Sequence, residues 1–217
     1  MVSQNLSYIL GALRDGSLPK CGIKKEVTLA TDPDLDWLSL VAQKAAKEFS
    51  MPISKFKIYE IWDRKSKKPC YRLKIYSKRI YGLLSEHCEP GDQISWKTPN
   101  AVKNASLEVQ TEYIAAFYDA EGGCRNVSRF QGGFTRSMHC WSSFACTHSE
   151  LNEPLLFIQK ILKLVGITSQ LYRNNELVMT GKENLRRFYE NFPLQHEKKK
   201  KQLRELLQFY GTPPVKA

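Results

Sequence analysis

Ile114-Ala115-Ala116-Phe117-Tyr118-Asp119-Ala120-Glu121-Gly122 reads as a short apolar helix that ends on a carboxylate followed at once by glycine. The end of a helix carries partial negative charge and favours cations, so an acid there is electrostatically misplaced. Metal binding is the obvious reason to keep one. A weaker copy, Tyr8-Ile9-Leu10-Gly11-Ala12-Leu13-Arg14-Asp15-Gly16, lies near the N-terminus. A glycine C-cap accounts for Gly16 and Gly122 but leaves Asp15 and Glu121 unexplained.

Working outward, the chain reads as one unit written twice. After the first motif, Gly16-Ser17-Leu18 and Val27–Thr31 suggest two strands joined by a lysine-bearing turn. Asp32 to Asp34 offers a cap, and Trp37, Leu38, Val41 and Ala45 recur at helical spacing up to Phe49, with Pro52 closing the helix. Phe56–Trp62 and Tyr71–Tyr76 alternate at period two around a charged hairpin loop, and Ser77 caps a helix through Ile80, Leu83 and Leu84. The second half repeats the order: a strand near Cys124–Phe130, a Gly132-Gly133 turn, a strand at Trp141–Thr147, and a helix from Pro154 to Leu164. A hairpin of Tyr172-Arg173 with Leu177-Val178-Met179 and a helix from Lys182 to Phe192 complete it. Matching landmarks lie 106 residues apart at Asp15 and Glu121, 116 apart at Gln43 and Gln159, and 104 apart at Lys78 and Lys182. The offset changes only at hairpin loops, where insertions are tolerated. These patterns predict an α/β fold, a duplicated α-β-β-α-β-β-α unit, divided as residues 1–92, a linker at 93–107 and residues 108–217.

The formal net charge of +11 is shared, with 18 basic and 11 acidic residues in 1–107 and 15 and 11 in 108–217. Charge on both halves suits a polyanion lying along the whole molecule. No segment approaches the ~20 apolar residues of a membrane span, so no membrane partner is expected. The N-terminus lacks the pattern of a signal peptide, and an intracellular setting follows, in cytoplasm, nucleoid or organelle matrix. Six cysteines stand without CxxC spacing, which points to reduced thiols rather than a zinc finger or a disulfide framework.

Together the two motifs resemble those of the LAGLIDADG homing endonuclease family, in its single-chain, two-motif, archaeal or organellar form. The second motif fits at every position with conservative swaps. In the first, alignment on Asp15-Gly16 places Leu10 and Arg14 where the family prefers glycine or alanine; placing Gly11 in the glycine position requires a one-residue deletion before Asp15. The resemblance implies two pseudo-symmetric subdomains forming an antiparallel β saddle, with the motif helices packed through small residues. It implies a monomeric, Mg2+-dependent, site-specific double-strand DNA endonuclease that leaves short 3′ overhangs and promotes intron mobility. Paired carboxylates suit such chemistry, because a divalent ion polarises the phosphoryl oxygen and activates water. Magnesium takes one or two carboxylates together with phosphate and water. Asp15 and Glu121 are thus the expected metal ligands, one from each half, and Asp119 is structural.

Lys97 and Lys198, 101 residues apart, occupy matching places where the family often puts a basic residue near the metal water. Either serves there or simply touches phosphate, and Lys198 also opens a lysine run that suits a solvated face. Along Tyr71–Tyr76, Leu73 and Ile75 point one way and Arg72, Lys74 and Tyr76 the other. With the apolar face on the helices, the other face lies on DNA. The same alternation selects Arg125 and Arg129, and turns and strand ends add Lys24, Lys25, Lys65, Lys67, Arg136 and Arg173. Gln131 is a candidate adenine reader. Two readings compete with the nuclease: an RNA-binding intron maturase on the same fold, and a non-catalytic DNA-binding regulator.

Overall fold

The computed structural model describes residues 2–20, 25–62, 68–91, 96–126, 136–141, 153–172 and 176–209. They group into two compact units, 1–120 and 121–217.

In the first unit, α1 (Gln4–Ala12) starts on Ser3, whose hydroxyl accepts from the Leu6 amide at 3.0 Å. It tightens into a 3-10 turn over Leu13–Asp15. Ser17 and Thr28 then exchange two backbone hydrogen bonds (2.8 and 3.1 Å) as an isolated bridge. The strand expected at Gly16–Leu18 goes no further than this bridge and one from Leu18 to Gly91. Pro19 has no N–H with which to continue the ladder.

β1 (Glu26–Asp32) leads to α2 (Leu35–Glu48), capped by the Asp34 carboxylate on the amides of Asp36 and Trp37. The α2 face of Trp37, Leu38, Val41, Ala42 and Ala45 is buried, at about 1.5–3 kcal/mol for each large side chain. β2 (Lys57–Ile61) and β3 (Cys70–Tyr76) form the hairpin, and α3 (Lys78–Ser85) starts on the Ser77 hydroxyl. The antiparallel sheet runs β1-β3-β2. The segment read as a linker contains α4 (Asn100–Lys103) and buries Trp96 and Val102, so it packs as part of the core. α5 (Leu107–Glu121) follows. By sequence α5 opens the second repeat; by packing, all but its last residue belongs to the first unit.

The second unit contains β4 (Gly122–Asn126), β5 (Arg136–Trp141), α6 (Glu153–Leu164), β6 (Ser169–Tyr172), β7 (Glu176–Thr180), α7 (Lys182–Asn191) and α8 (Glu197–Phe209). Its antiparallel sheet runs β4-β5-β7-β6. Without β4 this is the order of the first sheet, and the Ser17–Thr28 bridge takes the place of the β4–β5 pair. The duplication is therefore visible in topology, and the fold is α/β with antiparallel sheets.

Three boundaries differ from the sequence reading. β4 begins at Gly122 directly after the motif acid; residues 127–130 of the expected strand lie outside the described residues. β5 covers Arg136–Trp141; of the strand expected at Trp141–Thr147 only Trp141 is described, and residues 142–147 lie outside the described residues. α8 was unanticipated, since its lysine run hides an apolar side of Leu203, Leu206 and Leu207, all buried.

Candidate functional site

The two motif helices pass each other in the same sense within the first unit. Gln4 donates to the Glu108 carboxylate, Ser7 Oγ donates to the Val109 carbonyl at 2.6 Å, and Gly11 meets the turn Tyr113–Phe117. A Cβ on Gly11 would lie 2.8 Å from Ala116 Cβ and 3.0 Å from Phe117 N, and closer still to the Tyr113 carbonyl. Gly11, rather than Leu10, is therefore the small residue of the first motif. The missing residue before Asp15 is made up by the 3-10 turn. Four steps from Gly11, three of them at ~2.0 Å, rise about 7.5 Å, as do five α-helical residues from Ala116 to Glu121.

Beneath this crossing lies a buried polar chain. Trp37 Nε1 donates to Tyr8 Oη (2.9 Å), and Tyr8 donates to Asp119 Oδ2 (2.6 Å). Asp119 is wholly buried. Burial, with the Asp119 charge adding, holds the Tyr8 hydroxyl well above its ordinary value, so Tyr8 remains a donor. Asp119 thus ties α5 to α1.

Asp15, at the end of the 3-10 turn, and Glu121, the last residue of α5, are both partly exposed. The Cys70 thiol is pushed up, by burial first, with the charges of Asp15 and Asp32 adding. Arg14 is only 5 % exposed. Its Nη1 donates to the Trp96 carbonyl at 3.1 Å and its guanidinium carbon sits 5.4 Å from the Phe117 ring centroid. Burial pushes the neighbouring Cys88 thiol up to about 12, with the Arg14 charge opposing. Arg14 is thus held inside the first unit. Lys97 is exposed between buried Trp96 and Thr98, and Lys198 is exposed on the first turn of α8. Among the described residues no group of three or more His, Cys, Asp or Glu side chains gathers into a metal cage.

On the first sheet Leu73 and Ile75 are buried, Arg72 and Tyr76 are exposed and Lys74 is intermediate. Register puts Tyr59 opposite Arg72, Lys57 opposite Lys74 and Glu26 opposite Tyr76, on the same face. Lys74 Nζ lies 2.6 Å from Glu26 Oε1 and 5.8 Å from the Tyr59 ring centroid. Hydrogen bonds from Lys74 and Tyr76 hold the Glu26 carboxyl below its ordinary range, and the same bond pushes the Tyr76 hydroxyl up. Glu26, Lys57 and Tyr59 were not picked out from the sequence, although the period-two pattern of β2 and the pairing of β1 carry them. Lys25 turns aside, its Nζ lying 4.4 Å from the Tyr81 ring centroid. In the second unit Arg125 lies on β4 opposite Ser137 and Arg136 opens β5. Lys24, Lys65, Lys67, Arg129, Gln131 and Arg173 lie outside the described residues.

One motif helix runs to Asp15-Gly16 and the other to Glu121-Gly122, they cross at Gly11, and residues 108–193 match the family described as LAGLIDADG-like domain. Over 93% of its length the chain is 27% identical to homing endonuclease I-ApeI of Aeropyrum pernix, covering 86% of that protein. Among solved structures it resembles the homing endonuclease I-WcaI bound to its DNA recognition sequence (TM-score 0.61, 14% identity, 94% of this chain and 87% of that one). It also resembles I-DmoI in complex with DNA and Mn (TM-score 0.52, 15% identity, 89% and 98%). At such identity the structural likenesses speak for the fold.

Proposed function

We propose that this protein is a site-specific double-strand DNA endonuclease of the homing type, hydrolysing phosphodiesters with a divalent metal, Mg2+, and leaving short 3′ overhangs. The observation that carries this reading is the pair of motif helices. They approach through Gly11, and the 3-10 turn carries Asp15 as far along the first helix as Glu121 lies along the second. Asp15 and Glu121 would each contribute a carboxylate. The donors fit: they are hard oxygen ligands and both are partly accessible. One or two carboxylates suit Mg2+, which takes substrate phosphate and water at its other positions. When bound, the ion supplies Lewis-acid polarisation of the phosphoryl oxygen and a more acidic water.

Lys97 stands exposed ahead of α4 and Lys198 on the first turn of α8, where a cation would offset charge developing on the phosphate. Arg72, Lys74 and Tyr76 of the first repeat belong to a face laid on DNA, and Arg125 and Arg136 serve the same contact from the second repeat. β1 and β3, of seven residues each, span about 23 Å at ~3.3 Å per residue, roughly two-thirds of a helical turn of ~34 Å. Repeats 1–92 and 108–217 would each take half of the site. The protein acts as an intracellular monomer and promotes intron mobility.

One observation favours a second activity, binding intron RNA. Tyr59 and Tyr76 are 43% and 54% exposed on the face that carries Arg72 and Lys74, and aromatic–cation surfaces stack unpaired bases.

Selection of cut duplexes from a randomised library, with Mg2+ and with chelator, tests the proposal. Enrichment of one long site only with Mg2+ is expected. Binding without cutting would favour the regulator, and preference for structured RNA the maturase.

A further inference from the structure

We infer that Arg14 is a positioning residue that holds Lys97 in place for one of the two strand cuts. This rests on the nuclease reading above. The motif position is unusual in its content, since the second motif has Ala120 where the first has Arg14. A long cation at a helix crossing needs a use.

Its surroundings supply one. Arg14 is 5 % exposed, and its Nε finds no acceptor among the described residues. A buried, incompletely satisfied charge costs stability, so an alanine would serve packing better. What the guanidinium does reach is the carbonyl of Trp96, at 3.1 Å, the residue directly before Lys97. Trp96 is 4 % exposed and its indole Nε1 donates to the Glu89 carbonyl at 2.7 Å. On the other side Thr98 is buried. Lys97 is therefore an exposed side chain on a peptide clamped on both flanks, and one clamp reaches back to the residue adjoining Asp15. Arg14 sets the place of Lys97 relative to the end of the first motif. The second motif has Ala120 at this position, with no guanidinium to make the same clamp.

The asymmetry gives a readout that a loss of folding does not. On a supercoiled plasmid carrying the selected site, Arg14→Met should slow one strand cut by about 10–100-fold, as expected for a misplacement near 1 Å. Nicked circles should accumulate while DNA affinity stays within about twofold. Lys97→Ala should slow the same strand, and the double variant should be no slower than Lys97→Ala alone, because groups acting as one unit are not additive. Arg14→Lys keeps a donor and should recover part of the rate. Equal slowing of both strands, additive effects in the double variant, or an unaffected Arg14→Met would each overturn the inference. If Lys97→Ala itself cuts both strands at the wild-type rate, the proposed role of Lys97 fails and the inference with it. If Lys97→Ala slows one strand and Arg14→Met slows neither, only the positioning role fails.

Discussion

Gly11→Ala adds one methyl group at the point where α1 meets α5. The new Cβ would stand 2.8 Å from Ala116 Cβ and 3.0 Å from Phe117 N, against an ordinary carbon–carbon separation of about 3.5–4.0 Å. Two of the obstructing groups, the Tyr113 carbonyl and the Phe117 amide, are helix backbone and cannot rotate away. The helices must therefore part by about 1 Å. Overpacking of this kind costs about 1–3 kcal/mol, while alanine in place of glycine returns up to about 1 kcal/mol of helix propensity. The clash wins, and melting should fall by several degrees, since 1 kcal/mol is worth about 2–4 °C at this chain length. The effect on chemistry should be larger. Asp15 and Glu121 ride on these two helices, and a 1 Å displacement costs about 100-fold in rate. Single-turnover cleavage well below the melting temperature measures that term apart from unfolding. Gly82 supplies the control: it lies inside α3 with open space where a Cβ would go. Gly82→Ala should stabilise by up to about 1 kcal/mol and leave cleavage alone. A Gly11→Ala protein that melts and cuts like the wild type would refute the close helix crossing as the foundation of the site.

Removing the Tyr8 hydroxyl in Tyr8→Phe takes a donor from buried Asp119 and an acceptor from Trp37; a loss of about 1–3 kcal/mol is expected in denaturant titrations, and an unchanged midpoint would deny the buried chain its role. Glu112 is half-buried and its carboxyl is pushed up, by burial first, with Lys44 opposing. The folded chain holds that proton more tightly than the unfolded chain, so stability falls as pH rises through the interval above the ordinary carboxylate value. Glu112→Gln should accordingly raise the melting temperature near pH ~7 more than near pH ~4, and the opposite order would contradict the sign. Binding to the selected duplex should weaken steeply with salt, with a log–log slope of about −0.9 per neutralised phosphate; a slope near zero would exclude the two-sided basic surface.

The elements most legible in the sequence were those with a local chemical signature. Asp34 and Ser77 cap helices at the expected residues, and Leu73 and Ile75 turn inward as the period of two requires. What escaped depended on distances that no spacing reports. The choice between Leu10 and Gly11 turns on the rise of a 3-10 turn, which a sequence aligned residue for residue with an α-helix does not reveal. Arg14 read only as a departure from the motif, because its acceptor comes from the tertiary placement of Trp96. α8 was hidden because its four lysines outweigh three leucines in any reading of a short window. Glu26 falls on the sheet face through its pairing with Tyr76, a long-range fact.

The central claim is that Asp15 and Glu121 serve metal-dependent chemistry rather than packing or recognition. Asp15→Asn and Glu121→Gln keep size and hydrogen-bonding shape while removing the anionic oxygen a divalent ion needs. The decisive measurement places cleavage in Mg2+ and duplex affinity side by side for these two variants and their combination. Loss of cutting with affinity retained is the predicted result. Full cutting of both strands by the double variant would contradict the account.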